Sequence, residues 1–542
     1  MAIFNVQRFY EYMISMNSFS LNNFKLATRP INTNKLSIYY YNDTHGNSDE
    51  ILGVINGARK FKNDEGTRDS VSFVLSAGDN YSGANVKKNK FFVDLMQNII
   101  GVDASAIGNH EMDGGSDGFC KAAKGKKVDF IASNVVLDKN NPMSDVIKKS
   151  MIIERQGMRI GLVGSMPLDL EMVSKSDNIK DIKVLPFDET VNAIQNEINK
   201  LKEMKIDKVI LLSHTGYEED KKLASSLDGV DIIVGGHTHT VVNGAKSGEN
   251  IVPSKSGEPV LIVQGGENGK YYGIINAEFN KNGVLKTAEN TLYRSPIRKK
   301  SPIIEHIKVQ NLGKSPKVGT ITKIDPMPAN RRIEHCPWTS TLADAMKEEL
   351  GADIALINSA NVRKVPQTGL LTENDISESV PMKNKLLKTK ITQKQLTNAI
   401  KNSAKTTMSH HEGVPGLLQV SGLKYKIDTD GNLLELNFVD KNGKISPINI
   451  ANPSDDIVYT VIYDDFAAKE HGEYPELFPQ FEVQHFNFDK DKTMIDYLNK
   501  KHDKEHLEFN DDKRIEIVKT SKQKQENNSS QRFLNLTCPK VS

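Results

Sequence analysis

Short apolar runs alternate with longer amphipathic segments over the first half of the chain, between residues 36 and 293. The runs are rich in β-branched and aromatic residues, which is typical of buried strands. The segment Glu189–Met204 instead repeats apolar residues at helical spacing. Strand and helix patterns that alternate in this way predict an α/β sandwich. The predicted strands are Leu36–Tyr41, Val71–Leu75, Ala104–Ile107, Phe130–Ala132, Ile160–Val163, Val209–Leu212, Ile232–Val234 and Leu261–Val263.

The pattern changes after residues 294–316, a stretch rich in Pro, Ser and Lys that predicts a linker. This linker separates a predicted domain at 35–293 from one at 317–515. Residues 1–34 predict a flexible leader, and the polar residues 516–542 predict a disordered tail. The second domain has an α+β pattern, with predicted helices Ser340–Leu350 and Thr392–Ser403 and predicted strands that include Ile354–Ile357 and Ile457–Ile462.

The composition is that of a soluble globular protein. Hydrophobic residues make up 38% and charged residues 26% of the 542 positions, and the net charge is +2. This small charge argues against a nucleic acid polymer or an anionic membrane as a partner. No apolar stretch approaches the roughly 18 residues that cross a membrane. Glu11 and Asn17 interrupt the N-terminal apolar residues, so we expect no signal peptide and a cytoplasmic location. We also expect a monomer.

The three cysteines, Cys120, Cys336 and Cys538, lie far apart in the sequence and show no zinc-type spacing. Free thiols are the favoured interpretation, and a disulfide between Cys120 and Cys336 stays open. A metal ion in this chain is therefore expected to be held by His, Asp and Asn side chains.

Five short segments place metal-binding side chains directly after predicted strands, where scaffolds commonly build sites. Each donor alone has an ordinary explanation: Asp43 suits a turn, His214 a structural hydrogen bond and Asn109 a helix N-cap. As an ordered set in one domain, they indicate a single site. The segments are Asp43-Thr44-His45, Gly78-Asp79, Gly108-Asn109-His110-Glu111, Leu212-Ser213-His214 and Gly236-His237-Thr238-His239.

Hydrolysis of a phosphate ester is slow because the anionic phosphorus centre repels an anionic nucleophile. Two divalent cations about 3.5–4 Å apart overcome this by generating hydroxide and by neutralising charge. Asp79 is the natural bridge between two such ions. The remaining donors form two sets, Asp43, His45 and His239 for one ion and Asn109, His214 and His237 for the other. Such ligands suit Mn, Zn, Co, Fe or Mg.

His110 follows a predicted ligand, and Asp113 lies three residues further on, within side-chain reach if a helix begins there. The pair predicts a carboxylate that orients an imidazole. We expect His110 to stabilise developing charge or to help the leaving group depart, rather than to bind metal.

These segments resemble the calcineurin-like metallophosphoesterases, and specifically their bacterial and extracellular 5′-nucleotidase branch. The resemblance is carried by NDTHGN (42–47), SAGDNYSG (76–83), GNHEMD (108–113), LLSHTGYEED (211–220) and GGHTHT (235–240). It implies a four-layer α/β/β/α sandwich followed by a smaller α+β domain. It also implies that the seven donors are the metal ligands and that His110 and Asp113 are the catalytic pair.

The second domain resembles the 5′-nucleotidase C-terminal domain, which packs a base between aromatic rings and binds the phosphate side with arginines. The segments 341–363, 370–386, 417–428 and 463–475 carry this resemblance. It implies that the substrate contacts are Arg332, Arg363, Asn384 and Phe466. Guanidinium groups suit oxyanions, and an aromatic face suits a base. Two alternatives stay open, with Phe466 as a core residue and Arg363 in a surface ion pair.

The predicted nucleoside pocket departs from the family pattern. The family's glycine run is Ser359-Ala360-Asn361 here, Met382 replaces one stacking aromatic, and Glu473 stands in for an aspartate. We predict a two-metal phosphomonoester hydrolase that releases phosphate from nucleoside 5′-monophosphates or related nucleotides by attack of a metal-bound hydroxide. The alternatives are a 2′,3′-cyclic nucleotide phosphodiesterase or nucleotide-sugar hydrolase on the same scaffold, and a nucleotide-binding protein without turnover.

Overall fold

The computed structural model describes most of the two predicted domains. The predicted leader before residue 32, most of the predicted linker, the predicted tail from residue 520, and Cys538 lie outside the described residues. Residues 516–518 of the predicted disordered tail instead form part of the strand Ile515–Val518, because that strand pairs with Tyr425–Asp428. By internal contacts the chain divides into two units, and residues 169–177 group with unit 2 although their flanks belong to unit 1. The described residues are 32–47, 50–63, 69–81, 93–94, 96–295, 309, 314–325, 332–409, 416–470 and 472–519.

Unit 1 contains two large sheets and the helices that cover them. Its strands are β1 Lys35–Tyr41, β2 Val71–Ser76, β3 Ala104–Ala106, β4 Asp129–Ile131, β5 Val135–Leu137, β6 Ile147–Lys148, β7 Ser150–Arg155, β8 Met158–Ser165, β9 Ile182–Val184, β10 Val209–Ser213, β11 Ile232–Gly235, β12 Ile251–Pro253, β13 Pro259–Gln264, β14 Tyr271–Phe279 and β15 Leu285–Arg294. The helices with defined bounds in the described residues before 315 are α1 Ile51–Asn63, α2 Gly115–Ala123, α3 Leu170–Val173, α4 Ser176–Ile179, α5 Phe187–Glu203 and α6 Tyr217–Ser226.

The strand order of the first sheet is β15-β14-β1-β2-β3-β4-β6, and that of the second is β12-β13-β11-β10-β8-β7. The central strands of both sheets run parallel. The antiparallel pairings involve β14 and β15 in the first sheet and the two edge strands, β7 and β12, in the second. Parallel central strands bring the loops that follow them to one edge of each sheet.

The largest core of unit 1 lies between the two sheets. Alternate residues of β1, such as Ile38 and Tyr40, face this core together with Leu212 of β10 and Val234 of β11. The opposite face of the first sheet packs Tyr39 against α1. The opposite face of the second sheet packs against α5 and α6. Successive side chains of a strand point to opposite faces, so a strand buried on both faces is apolar throughout. The layers therefore run α/β/β/α, as predicted.

Unit 2 mixes three sheets with helices. Its strands are β16 Lys317–Ile324, β17 Ile354–Asn358, β18 Gly369–Thr372, β19 Lys385–Thr392, β20 Leu418–Ser421, β21 Leu423–Asp428, β22 Leu433–Val439, β23 Ile445–Pro447, β24 Val458–Asp464, β25 Gln484–Asp489, β26 Leu507–Phe509 and β27 Ile515–Val518. Its helices from residue 337 onward are α7 Pro337–Leu350, α8 Glu373–Ser379, α9 Gln393–Ser409 and α10 Lys490–Asn499.

A mixed five-stranded sheet of order β20-β17-β24-β19-β25 forms the centre of unit 2. Residues of α7 and α10 pack on one of its faces and residues of α9 on the other. Helix α7 begins at Pro337, three residues before the predicted start, because proline is tolerated in the first turn. Helix α9 continues to Ser409, six residues beyond the predicted end. Both predicted helices and both predicted strands of this domain are present.

Cys120 and Cys336 are free thiols, which is the interpretation that the sequence favoured. None of the helices in the described part of the chain combines the length and apolar content needed to cross a bilayer.

Candidate metal centre

The loops that follow five strands of unit 1 carry all seven predicted donors. Asp43 and His45 follow β1, Asp79 follows β2, and Asn109 follows β3. His214 follows β10, and the pair His237 and His239 follows β11. Since β1, β2 and β3 are parallel neighbours in one sheet and β10 and β11 in the other, the chain brings these loops to neighbouring strand ends. All of these residues except His237 and His239 are buried, and those two are partly buried.

The backbone of these loops is held in an unusual conformation. Among the described residues, nine non-glycine residues have a positive φ, and five of them are predicted donors. The donors and their φ angles are Asp43 at 49°, His45 at 48°, Asp79 at 50°, His237 at 80° and His239 at 60°. Such conformations cost about 1–3 kcal/mol each and cluster at functional sites, where the surrounding structure enforces them. The strain therefore marks this loop cluster as a site.

Asp43, His45 and His239 converge on one another. His239 Nε2 lies 3.3 Å from Asp43 Oδ1 and 3.1 Å from His45 Nε2. His45 Nε2 lies 3.9 Å from the same Asp43 oxygen. These three residues are the set that the sequence assigned to one ion, and their ligand atoms all lie within 4.8 Å of one another.

Asp79 lies between the two sets of donors. Its Oδ2 atom is 3.3 Å from His214 Nε2 and 3.9 Å from His45 Nδ1. The remaining two donors meet each other, with Asn109 Oδ1 3.1 Å from His237 Nδ1. Asn109 occupies the position before a short 3₁₀ turn but makes no side-chain capping bond, so its amide is not used as an N-cap. The central location of Asp79 is the one expected of a bridging carboxylate.

Three glycines beside the donors have no room for a side chain. A Cβ on Gly108 would lie 2.1 Å from Asp79 Oδ1, and a Cβ on Gly78 would lie 2.9 Å from His214 Nδ1. A Cβ on Gly236 would lie 2.7 Å from the same His214 nitrogen. The glycines of the Gly-Asp, Gly-Asn-His and Gly-His motifs thus permit the close approach of the loops.

The carboxylates and imidazoles hold one another in charged forms. Burial alone would raise the pKa of Asp79, but the charges of His214, His110 and His45 outweigh burial and keep it well below its usual value. Burial would lower the pKa of His214, yet Asp79 and Asp43 raise it to about 10. Protons on the imidazoles here balance the charge of the carboxylates, as a metal cation would. These protons must leave before a metal ion binds, because ligands must be deprotonated.

His110 and Asp113 form the predicted pair. His110 Nδ1 lies 2.9 Å from Asp113 Oδ2 across a 3₁₀ turn, His110–Met112. The Nε2 atom of the same ring is 3.9 Å from Asp79 Oδ2, and His110, His45 and Asp79 form a further group of possible metal donors. The backbone N–H of His110 donates to Asp79 Oδ1 at 2.8 Å. The imidazole therefore lies at the edge of the donor cluster with its outer nitrogen on a carboxylate.

Two buried side chains that the sequence analysis did not assign hold the loops in place. Glu111 accepts hydrogen bonds from the backbone N–H groups of Asp79, Asn80 and Gly108, each at 2.8 Å, which joins the loops after β2 and β3. Gln264 accepts from the Thr240 N–H and donates to the Gly236 carbonyl at 2.8 Å. Glu111 lies in the segment GNHEMD (108–113), and Gln264 lies in VQGGENGKYYG (263–273), which also resembles the 5′-nucleotidase branch. Neither segment alone indicates these contacts.

Asp220 holds the loop that carries His214 through hydrogen bonds to its two neighbours. One of its carboxylate oxygens accepts hydrogen bonds from the hydroxyls of Ser213 and Thr215, which flank His214. Burial raises the pKa of Asp220 to about 7, against the lowering effect of those hydroxyls. Asp220 lies within the segment LLSHTGYEED (211–220), but its contacts with Ser213 and Thr215 are apparent only from the structure.

The four predicted substrate residues belong to unit 2. Asn384 is buried and donates to Asp464 Oδ2 at 3.2 Å. Phe466, two residues beyond Asp464, is half-buried, and Lys469 Nζ lies 4.7 Å from its ring centroid. Asp464 also accepts from the Ala467 N–H at 3.0 Å, so one buried carboxylate ties the Asn384 and Phe466 segments together.

The two predicted arginines are partly buried at other points of unit 2. The backbone N–H of Arg363 donates to the Ser379 carbonyl at 2.8 Å, and the Arg332 carbonyl accepts from the Leu417 N–H at 2.8 Å. The charge of Arg332 acts on Glu473, whose pKa is nevertheless raised to about 8 by burial. Glu473 Oε2 accepts a hydrogen bond from Asn358 Nδ2 at 2.7 Å. The proposed stand-in carboxylate is therefore partly buried and bonded to an amide.

The donor chemistry fits divalent metal ions. The described residues contain three overlapping groups of His and Asp donors in unit 1, each with its ligand atoms within 4.8 Å of one another. The Nε2 atoms of His45 and His239 face each other at 3.1 Å, and imidazole nitrogens are common ligands of divalent transition metals. His214 Nε2 is buried near two carboxylates without the alignment of a hydrogen bond.

Comparison with known proteins agrees with this chemistry. The family model for the calcineurin-like phosphoesterases matches residues 36–241, and the model for the 5′-nucleotidase C-terminal domain matches residues 317–479. The chain belongs to this two-domain metallophosphoesterase family. The predictions of the family and of the fold class are confirmed. Calcineurin-like metallophosphoesterases use two divalent metal ions, and the donor clusters described above suit that cofactor.

Relatives and solved structures extend the match over most of the chain. The trifunctional nucleotide phosphoesterase of Bacillus subtilis is 26% identical over 469 residues, which is 76% of this chain and 31% of that protein. The 5′-nucleotidase of Mus musculus is 29% identical over 352 residues, 58% of this chain and 59% of that protein. The chain thus spans less than two thirds of the length of either relative.

The fold has a counterpart in the crystal structure of a 5′-nucleotidase precursor from Thermus thermophilus. That structure aligns with a TM-score of 0.74 and 21% identity, and it covers 89% of this chain and 99% of its own. At this identity the likeness concerns the fold alone.

Proposed function

We propose that the chain is a two-metal phosphomonoester hydrolase that releases phosphate from nucleoside 5′-monophosphates. The observation that carries the proposal is the convergence of five donors, Asp43, His45, Asp79, His214 and His239, beside the His110–Asp113 pair. The other two predicted donors, Asn109 and His237, meet each other at 3.1 Å on neighbouring strand-end loops. A degenerate site would be expected to lack at least one of these groups. The family supports hydrolysis of nucleotide phosphoesters, and the monophosphate substrate is the finer step that we add.

The residues of the chain divide the chemistry between them. When bound, two divalent cations lower the pKa of a water molecule and offset the negative charge of the phosphoryl group. Asp113 orients the His110 ring through Nδ1 at 2.9 Å, so that Nε2 turns towards the side of Asp79. The Nε2 proton of His110 stabilises the charge that develops on the phosphoryl oxygens and is then available to the leaving oxygen.

The residues of unit 2 support a nucleotide as the substrate. Its match to the 5′-nucleotidase C-terminal domain includes Arg332, Arg363, Asn384 and Phe466. Guanidinium groups recognise oxyanions, and the half-buried Phe466 face suits a base. The printed names of the two relatives, a nucleotide phosphoesterase and a 5′-nucleotidase, point in the same direction.

A substrate panel tests the proposal. The purified full chain is stripped with chelator, reloaded with Mn²⁺, Zn²⁺, Co²⁺ or Mg²⁺, and offered the 5′-monophosphates of four nucleosides. We expect metal-dependent release of phosphate, and we expect Asp79→Ala and His214→Ala to abolish it. Asp117→Asn, on the exposed side of α2, is the matched control and should keep full activity. Absence of turnover on every phosphoester with every metal would refute the proposal.

A second candidate is hydrolysis of 2′,3′-cyclic nucleotides or nucleotide sugars. Met382 in place of a stacking aromatic and the partly buried Glu473–Asn358 bond favour it, because both alter the predicted nucleoside pocket. Met adapts to irregular shapes, so a broader range of ligands is expected. A direct comparison of kcat/KM for cyclic, sugar-linked and simple nucleotides decides between the two candidates.

The third candidate is nucleotide binding without turnover, which would appear as saturable binding of nucleotide to the metal-loaded chain with no product. The cytoplasmic location and the monomeric state stay predictions. Cell fractionation tests the first, and the mass of the purified chain in solution tests the second.

A further inference from the structure

Glu267 lies directly behind one of the metal-donor histidines. Its Oε2 atom is 3.0 Å from His239 Nδ1, and the side chain is only 14% exposed. The other ring nitrogen of His239, Nε2, faces Asp43 Oδ1 at 3.3 Å and His45 Nε2 at 3.1 Å. One nitrogen of this imidazole therefore points into the donor cluster while the other rests on a carboxylate.

The loop that carries Glu267 is fixed to the strand end that carries Asp43. The Gly265 N–H donates to Asn42 Oδ1 at 2.7 Å, and Asn42 Nδ2 donates back to the Gly266 carbonyl at 2.8 Å. The Asn268 N–H donates to the Asp43 carbonyl at 2.6 Å, from a residue whose φ is +58°. Glu267 is thus held by hydrogen bonds on both of its sides, and its distance to His239 is set by the fold.

The other donor set has a different outer partner. His214 Nδ1 lies 2.5 Å from the neutral carbonyl oxygen of Ala77, whereas His239 meets an anionic carboxylate. A carboxylate behind a ligating imidazole fixes the tautomer with hydrogen on Nδ1 and makes Nε2 a stronger donor. The histidines His239 and His214 therefore differ in the charge of the outer partner that meets Nδ1.

We propose that Glu267 is a positioning residue for His239 and makes the metal position of Asp43, His45 and His239 the tighter of the two. The inference rests on the proposed two-metal function only for the presence of the two ions. Glu267 itself touches neither substrate nor metal in this proposal. Its effect passes through the orientation and basicity of one imidazole.

A simpler role for Glu267 is an ion pair with Lys270, whose Nζ lies 3.1 Å from Oε1. Lys270 uses the other carboxylate oxygen and is 40% exposed, so it leaves the contact to His239 intact. The Lys270→Met variant separates the two roles. If the ion pair alone matters, Lys270→Met and Glu267→Gln should have equal effects on metal affinity.

The test measures metal binding rather than turnover. The full chain is stripped of metal and titrated with Mn²⁺ by calorimetry, and the apo melting temperature of each variant verifies its fold. We expect two Mn²⁺ equivalents in the parent chain. Glu267→Ala should weaken the tighter equivalent by about 10–100-fold, the usual effect of removing such an outer partner, while the weaker one changes less than about threefold. Weakening of only the weaker equivalent would contradict the proposal. Glu267→Gln should weaken the tighter equivalent less, since its amide oxygen still accepts from Nδ1.

Glu197→Gln is the matched control because Glu197 is similarly buried and pairs with Lys200 at the same sequence spacing, remote from the donors. It should leave both equivalents unchanged, as should Lys270→Met. Equal weakening of both equivalents by Glu267→Ala, no weakening of either, or a parent chain that binds fewer than two Mn²⁺ ions would overturn the proposal. A parent chain that binds two ions but hydrolyses no phosphoester would refute the proposed function and leave the inference on Glu267 standing.

Discussion

At the scale of single residues, the proposed roles separate metal binding from proton handling. Five of the seven predicted donors converge within short distances, whereas His110 meets Asp113 through Nδ1 and lies 3.9 Å from Asp79 at the edge of the cluster. Replacing a donor histidine and replacing His110 should therefore have different effects. Loss of a donor should empty a metal position, and loss of His110 should slow the chemistry.

His110→Ala should lower kcat by about 10²–10⁴-fold, the range for loss of a general acid. Metal content, measured by elemental analysis of the purified chain, should remain the same as in the parent. The control is His506→Ala, because His506 pairs with Asp503 in the same i,i+3 arrangement on an exposed surface of unit 2. A variant that loses both activity and metal would show that His110 is a ligand instead.

Asp231 gives a pH dependence that is independent of the metal centre. It is buried, and its Oδ2 accepts from the Val209 N–H at 2.8 Å. Burial raises its pKa to about 8, against the lowering effect of that hydrogen bond. The folded state therefore binds a proton that an unfolded aspartate, with a pKa of about 3.9, releases. The neutral acid contributes stability that is fully present below pH about 4 and is lost as the pH rises through 8.

Asp231→Asn keeps an acceptor for Val209 but cannot ionise. Its melting temperature should fall less between pH 5 and pH 9 than that of the parent chain. Asp129→Asn, a half-exposed carboxylate of unit 1 paired with Lys148, serves as the control and should keep the parent profile. Identical profiles for Asp231→Asn and the parent would show that Asp231 does not titrate in this range.

Residues in short motifs could be predicted from the sequence, and residues that act across the fold could not. The donors stand in compact segments with characteristic chemistry, such as Gly236–His239. The contributions of Glu111 and Gln264 depend on backbone amides and carbonyls brought together by folding. Glu267 likewise gains its contact to His239 from a loop that begins after a different strand. These side chains lie within recognisable segments, but no local pattern indicates which backbone groups or donors they contact.

At the scale of elements, the loop after β11 is limited by space as well as by chemistry. A Cβ on Gly236 would lie 2.7 Å from His214 Nδ1 and 2.8 Å from the Ala77 carbonyl oxygen. Neither neighbour can withdraw cheaply, since one is backbone and the other is a donor held by that same carbonyl. The two donor loops after β10 and β11 therefore depend on a glycine between them.

Gly236→Ala should displace His214 or the loop after β11 and weaken metal binding, measured by the same Mn²⁺ titration. Gly118→Ala is the control, because Gly118 lies in α2 with nothing within 4 Å of an added Cβ. That control should be neutral or stabilising by about 0.4–1 kcal/mol, since it reduces the freedom of the unfolded chain. Normal metal affinity in Gly236→Ala would show that the loops can move apart without loss.

The central strands and the main helices could be predicted because they are buried on both faces or strongly periodic. All eight predicted strands of unit 1 are present, and the predicted helix at 189–204 forms as α5. Strands β7, β12, β14 and β15 were not predicted. In β15 most side chains are half-buried or exposed, and Glu289 and Asn290 interrupt any apolar run. Such strands form because a neighbour offers its edge, as β14 does to β15 over nine register pairs.

At the scale of the whole molecule, each unit has a core of its own and can be followed by a different experimental signal. All seven donors belong to unit 1, whereas Trp338, the single tryptophan of the chain, is fully buried in the core of unit 2. Unit 2 also buries an ion pair, Lys490 with Asp464, whose side chains are 0% and 2% exposed. Breaking a buried pair by removing one partner costs about 3–5 kcal/mol, because the other charge is left uncompensated.

These features predict that metal removal and loss of the Lys490–Asp464 pair affect different signals, the calorimetric transition of unit 1 and the tryptophan fluorescence of unit 2. Removing metal with a chelator should lower the calorimetric transition of unit 1, because ligand binding at a hundredfold excess over Kd stabilises by about 2.7 kcal/mol. Tryptophan fluorescence, which reports only unit 2, should then change little. Lys490→Met should do the reverse, lowering the transition seen by Trp338 and sparing the metal-dependent one. Lys492→Met, from an exposed pair with Asp496 on the same helix, is the control and should move neither signal. If chelation shifted the Trp338 transition as far as the calorimetric one, the two units would unfold as one, and the assignment of the metal effect to unit 1 would fail.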